Sequence, residues 1–548
     1  MHIETNNMAP PSNLSSKTIN HLGLVAGMYD ELEIGELIDK IIPQDKIKRV
    51  VSIGQTVKTM VLNGLGFTNR AMYLTPLFFK DKPTERLIGQ GINPEHLNDD
   101  LLGRSLDKLY EYGVESLYSQ ISAHALKLLG LNGKFSHLDS TSFHVDGKYN
   151  HEQSEDEHII HISKGHSRDH RPDLNQVILQ LICDGKAGIP TLMQPLSGNI
   201  NDSKGFRDTI DAHIEQLKQG SGLEYLVGDS CLYSADTLKS MEHLYWISRV
   251  PETINLAKEA IHEAAPTLME NLEEMKIHNL RTHYADIEQR WLVVFSPQSY
   301  QRALQSVDKG FLKQTESEQK ELEKLCRREF ACIKDAEKAL ALFKGTLKCT
   351  EVNWSEVTVT NKFNGKGRPS KKRKADYQCY RISAGLSSSL SKRSRQLERK
   401  SCFVIATNQL DSSKLNDQEV IDVYKNQQKV ERGFRFMKDP MFMASTLFLK
   451  SPKRIMALMM VMTLCLLVYA ALEYRIRESL ALSGETFPSQ TGKESSTPTA
   501  RWVFQYFSGI HVLIINQLQE VILNLNLHHQ LLLHLLGNKY ESLYSGTG

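Results

Sequence analysis

The stretch Tyr424-Lys-Asn-Gln-Gln-Lys-Val-Glu431-Arg-Gly-Phe-Arg-Phe-Met-Lys438 decides how the chain is read. It holds no proline and one glycine, and Val423, Val430, Phe434 and Met437 recur at helical spacing. Tyr424, Glu431 and Lys438 are seven residues apart, about two turns, so one helix would carry all three on one face. That face has one acid among many bases. Alone it reads equally well as a solvated charged surface or as a functional face, and the acids upstream must separate the two.

Length sets the frame for finding them. A single core stops growing near about 250–300 residues, so 548 residues imply more than one domain. The net charge of +2 selects no partner class. Eight cysteines are scattered without a Cys-x-x-Cys pair, and no secretory segment opens the chain. Neither a disulfide framework nor a zinc site is expected, and a reduced cytoplasm is. Ile455 to Leu472 runs eighteen residues without a charge, long enough to touch the membrane-span heuristic. It is single, rich in Met and Ala, and basic at both ends, so a helix buried in a large soluble core is the expectation, with no membrane partner.

Residues 1–12 are polar and expected to be disordered. Leu22 to Leu129 is periodically apolar, with Asn98 placed to cap a helix, so residues 1–130 form a helical N-terminal domain. Packing explains that pattern, although a DNA-binding helix-turn-helix would give it too. Strand-like runs follow in 131–251: Lys134 to Asp146, Gln176 to Asp184, Ile189 to Leu196 and Leu223 to Asp229, then a helix over Ser234–His243 and a strand to Val250. Strands alternating with helices point to a mixed α/β sheet. Residues 252–410 change character, with strands around a long charged helical region and a basic interruption. Between Lys362 and Lys400, thirteen Lys/Arg face only Asp376 and Glu398, a local +11 that favours a polyanion surface. Helices return over 411–480, and 481–548 reads as a polar linker and a helical tail.

Asp139 and Asp229 each end an apolar run and precede small hydroxyl residues. Isolated, such acids are turn formers. Two of them on strands, joined by an acid from a later helix, can converge at one end of a sheet. Three close carboxylates repel one another, and an oxygen-seeking Mg²⁺ or Mn²⁺ ion resolves the repulsion.

These residues resemble the Asp-Asp-Glu triad of insertion-sequence transposases with a ribonuclease-H-like core. In the insertion-sequence-four superfamily the glutamate lies in a signature of Tyr, two residues, Arg, three residues, Glu, six residues, Lys. Tyr424, Glu431 and Lys438 fall on it. Gln427 stands where arginine is expected, with Lys425 and Lys429 as substitutes for its phosphate contact. Gly165 to Gln176 is also like this superfamily, and the N-terminal helices and the run Val430 to Pro440 look closest to its sixteen-thirty-four group. The resemblance covers about residues 20–510. It implies an α/β ribonuclease-H-like core interrupted by a mainly β insertion, which accounts for the 202 residues between Asp229 and Glu431. It further implies that Asp139, Asp229 and Glu431 are catalytic and hold two Mg²⁺ (or Mn²⁺) ions. Tyr424 and Lys438 would contact DNA phosphates. Double-stranded DNA, as element ends and target, would be the partner of a homodimer associated with the nucleoid.

Within the insertion, Lys366 to Lys374 resembles an AT-hook, or is a plain basic loop. Either way Arg368, Lys371, Lys372, Arg373 and Lys374 would add DNA affinity. The cluster His158, His161, His166, Arg168, His170 and Arg171 fits no zinc spacing and is better read as phosphate contact or loop polarity. Asp146, beside Gly147, is a rival first acid that reads as a turn. A catalytically inactive DNA-binding derivative of such an element is the alternative to an active enzyme.

Overall fold

The computed structural model describes residues 14–44, 49–67, 72–145, 159–165, 171, 173–364, 374–439, 449–516 and 519–546. The polar segment 1–12 therefore lies outside the described residues. The chain divides into two compact units, Met1–Ser248 with Gln418–Gly548, and Arg249–Asp417.

The first unit is built around the helix Pro452–Ser483, which contains the uncharged stretch. Of its most apolar window, 89% is buried inside the protein, so the run is a core helix here. It packs against the helices Leu22–Glu31, Ile53–Gly64, Asp99–Tyr112, Val114–Leu128 and Leu527–Leu536. Being apolar all round suits a helix surrounded by others. Its basic N-terminus is anchored by Arg454, whose guanidinium donates to both oxygens of Asp107 at 2.8 and 2.7 Å. The cap read from sequence is in place, with Asn98 Oδ1 accepting from the Leu101 amide at 3.0 Å; the structure adds a reciprocal cap between Ser52 and Gln55.

Beside this helical mass lies a mixed sheet ordered Pro190–Ser197, Asn175–Asp184, Phe135–Val145, Tyr225–Gly228 and Tyr245–Arg249. The first three strands are mutually antiparallel, and the last three run parallel. The expected hairpin turns at Gly185–Gly188, where Asp184 Oδ2 accepts the amides of Lys186 and Ala187 at 3.0 and 2.6 Å. The C-terminal tail differs from the all-helical expectation. His511–Ile515 and Gln519–Leu523 form strands, and the first pairs antiparallel with Leu14–Thr18. Their Val and Ile residues suit strands, and the pairing partner is almost the whole chain away, beyond any local pattern.

The second unit is mixed rather than mainly β. The hairpin Lys276–Tyr284 and Ile287–Phe295 pairs with Cys402–Thr407, and a long ribbon joins Thr350–Lys362 to Tyr377–Ser388. The helices Asn255–Leu268, Pro297–Arg327, Ile333–Thr346 and Leu390–Ser401 take up more chain than these strands. The helices are needed because a two-stranded ribbon cannot bury its own apolar face. Leu325, Phe330, Ala336 and Leu340 cover Ile382 of the ribbon.

Glu318 ties the long helix to the foot of that ribbon. Its carboxylate accepts from the amides of Lys348 at 2.7 Å and Thr350 at 2.9 Å, and from the Thr350 hydroxyl at 2.6 Å. Burial alone would raise its pKa, but these bonds outweigh burial and hold it below the usual 4.5. A carboxyl depressed on folding stabilises above its unfolded pKa and stops doing so as pH falls through the folded value. The contribution should therefore hold from pH 7 down to about 4.5 and be lost progressively as pH falls further. Glu318→Gln should flatten that acid limb and, at pH 7, cost about 2–4 kcal/mol in urea denaturation.

Candidate functional site

The register of two parallel strands builds the site. Phe135 pairs with Tyr225, Ser136 with Leu226, His137 with Val227 and Leu138 with Gly228. One step further in that register stand Asp139 and Asp229, on backbones about 4.8 Å apart. Asp139 is buried within its strand, and its Oδ1 accepts the Ser140 amide at 2.7 Å. Asp229 is half-buried just past its strand, and its Oδ1 accepts the Cys231 amide at 2.9 Å. Its carbonyl takes the Ser248 hydroxyl at 2.8 Å. Backbones this close bring two acids to adjacent positions at the end of the paired strands.

The third acid arrives on the helix Gln427–Met437. The single helix expected over Tyr424–Lys438 is in fact two, Asp417–Lys425 and Gln427–Met437, meeting at Asn426. The break sits beside Gln427, which turns into the sheet. Its amide donates to the Leu138 carbonyl at 3.1 Å and its Oε1 accepts from His137 at 2.9 Å. Because Oε1 can only accept, His137 carries its proton on Nδ1. Burial pulls the His137 pKa down to about 4 against the Gln427 bond, and the charge of Lys429 adds to the lowering. The ring is therefore neutral at pH 7.

This contact fixes where Glu431 stands. A helix rises 1.5 Å per residue, so Glu431 is about 6 Å past Gln427 on the same face. The strand advances about 3.3 Å per residue, so the same distance past His137 reaches Asp139, on the same face of the sheet. Farther along, the Lys438 ammonium lies 6.0 Å from the centre of the Phe143 ring, so helix and strand run side by side in one direction. Glu431 is exposed and makes no hydrogen bond or ion pair with any described residue. Among the described residues no group of three His, Cys, Asp or Glu is gathered tightly enough to enclose a metal ion. The two aspartates stand one step past the paired strand residues, and Glu431 stands one turn past Gln427 on the helix held to the Asp139 strand.

The surrounding residues sort unevenly. Tyr424 belongs to the preceding helix and is half-buried, as is Lys438. Gln427 is buried and spent on holding the helix to the strand, so it has no phosphate role. Lys429 is a poor substitute on this face, because its ammonium donates to the carbonyls of Gly185 and Lys186 at 3.0 and 2.8 Å. Lys425 and Lys374 are exposed. Arg368, Lys371, Lys372 and Arg373 lie outside the described residues, as do Asp146, His158, His166, Arg168 and His170. Of the remaining cluster, His161 is exposed and Arg171 pairs with Asp173 at 2.8 Å. His137 was missed in the sequence, although its place two residues before Asp139 puts both on one strand face.

Residues 134–468 match the family model described as Transposase DDE domain. The chain belongs to the DDE transposase family. Residues 14–123 of this transposase match a domain of unknown function. No curated protein matches the transposase. A solved structure, the piggyBac transposase synaptic complex with hairpin DNA, aligns at 10% identity and a TM-score of 0.37, covering 91% of this chain and 83% of that one.

Divalent metal ions serve the DDE family in general, and the donor set in this transposase fits such ions. The three acids offer hard carboxylate oxygens, and Glu431 has an unengaged side chain. The helix that brings Glu431 depends on Gln427. Gln427→Ala would leave the Leu138 carbonyl and the His137 Nδ1–H buried without partners, at about 1–3 kcal/mol each. The expected outcome is a loss of about 2–5 kcal/mol in denaturant titration, with Gln427→Glu recovering part of it through the His137 bond.

Proposed function

We propose that this DNA transposase cuts at the ends of an insertion sequence and joins the freed ends to target DNA. The element would belong to the sixteen-thirty-four group of the insertion-sequence-four superfamily. On this reading the sheet strands of the first unit and the Glu431 helix form a ribonuclease-H-like core. The observation that carries the proposal is the parallel register placing Asp139 beside Asp229, within the stretch matched by the transposase domain.

Asp139, Asp229 and Glu431 would hold two Mg²⁺ (or Mn²⁺) ions. When bound, such ions activate a nucleophile and neutralise charge on the phosphate under attack. The protein's own part is positioning. Gln427 and His137 set how far along the Asp139 strand Glu431 stands, while Tyr424 and Lys438 flank it and are suited to backbone phosphates, which fix register without reading bases. In the first step a water oxygen bonds to phosphorus as the bond to the 3′ oxygen breaks, leaving a 3′ hydroxyl. In the second, that hydroxyl attacks a target phosphodiester and displaces a target 3′ oxygen. One phosphoester bond forms as one breaks, so joining requires no external energy source. Both ends must react together, so a homodimer on double-stranded DNA, in the cytoplasm beside the nucleoid, is the working form. The basic insertion around Arg368 and Lys371–Lys374 would add salt-sensitive DNA affinity.

Asp139→Asn, Asp229→Asn and Glu431→Gln should each lower Mg²⁺-dependent cleavage of an end-containing duplex by on the order of 100-fold or more, with duplex binding retained. Full cleavage by any one variant removes that residue from the triad. If the unaltered chain binds the duplex and never cuts it, the chain is instead an inactive DNA-binding derivative.

A further inference from the structure

The Glu431 helix has a second working face. At 100° per residue, Gln427, Glu431 and Phe434 share one side, and Lys429, Arg432, Gly433 and Phe436 share the opposite one. That opposite side borders a cavity of about 210 Å³, also lined by Lys186, Glu473 and Arg477. Its floor is apolar and includes Leu466 and the rings of Phe436 and Tyr469, whose centres are 4.1 Å apart. The cavity is smaller than the roughly 300–1,000 Å³ of drug-sized pockets, so it suits a small group.

Four cations meet one carboxylate around this space. Glu473 accepts from Arg477 at 2.7 Å and from the Ala500 amide at 2.9 Å, and the Arg477 Nε donates to the Pro498 carbonyl at 2.9 Å. Lys429 is pinned by the hairpin carbonyls of Gly185 and Lys186. The Lys186 ammonium lies over the Tyr474 ring, 5.3 Å from its centre. Arg432 uses its Nε on the Gln428 carbonyl at 3.3 Å, and its two terminal amino groups have no partner among the described residues. The cations are thus held close together, and Glu473, Asp184 and Glu478 offset only part of their charge: Tyr474, Glu478 and Asp184 hold the Lys186 pKa above its usual value, while Arg432 is left without a carboxylate partner among the described residues. Lys429 registers the cost. Burial lowers its pKa first, Arg432 and Arg477 push the same way, and Asp184 and Glu473 oppose without reversing the direction. An anion in the cavity would relieve that repulsion. Arginine's planar fork and lysine's point charge together suit the several oxygens of a phosphate.

We propose that this cavity is a phosphate-binding site, separate from the carboxylate face. Its occupant is free phosphate or a backbone phosphate of DNA, and the DNA source rests on the function proposed above. The site lies directly behind the helix that presents Glu431, so its occupant would brace that helix from the far side.

Inorganic phosphate titrated into the full chain by calorimetry tests the site, together with a salt series of duplex binding. The variants are Arg432→Gln and Lys186→Gln, both at exposed rim positions. The expected result is phosphate binding weakened at least 10-fold in each, and a duplex salt slope shallower by about 0.9, the share of one phosphate. Weakened phosphate binding with an unchanged slope supports the site and assigns it to free phosphate. A shallower slope without binding of free phosphate assigns it to DNA. Neither effect overturns the proposal. Glu431→Gln must leave phosphate binding intact, since loss there would place the anion on the carboxylate face and also overturn it. Because the phosphate titration needs no cleavage, a chain that binds phosphate but never cuts DNA would sink the function and spare this site.

Discussion

The placement of Asp139 beside Asp229 depends on two strands running parallel and in register from Phe135 and Tyr225. A slip of one residue would turn Asp139 to the other face of the sheet and away from the Glu431 helix. The pairing is fixed by what it buries. Leu138, Leu226 and Val227 are all inaccessible, so an alternative register would expose them or leave gaps. Bringing two carboxylates together is unfavourable in itself, and the sheet tolerates it because each has an oxygen on a nearby backbone amide.

The helix that carries Glu431 is positioned by polar contacts more than by apolar ones. Val430, Phe434 and Met437 bury its side toward the core, which fixes its distance from the sheet but little about its height along the strand. Height is set by the two bonds of Gln427, because amide and imidazole partners must align within tenths of an ångström. A neutral glutamine does here what a charged arginine could do only at a large desolvation cost.

Much of this was legible in the sequence. Period-two runs located the strands, the cap at Asn98 follows from local chemistry, and Cys402–Thr407 stands where its apolar run begins and ends. The acids were found because each closes or interrupts an apolar run. What stayed hidden depends on distant partners. Gln427 looked like a defect in a phosphate-binding pattern, because nothing local ties it to His137, 290 residues earlier. The strands at 511–523 looked helical because Leu- and Ile-rich segments suit either state until a pairing edge decides. Helix outweighs strand in the second unit because a ribbon needs covering, a demand of packing that composition does not display.

The pairing of Leu14–Thr18 with His511–Ile515 has a consequence for how the molecule comes into being. The Tyr544 hydroxyl also bonds the Asn20 carbonyl, and the ring of Tyr540 packs against Gly27. The first helices made therefore wait for the last segments made before their core is closed. At about 5–20 residues per second, ribosomal synthesis leaves that apolar surface open for roughly half a minute to two minutes. During that interval the nascent chain is exposed to chaperones and proteases. A message cut short anywhere before about residue 511 yields an N-terminal domain with no partner to close it.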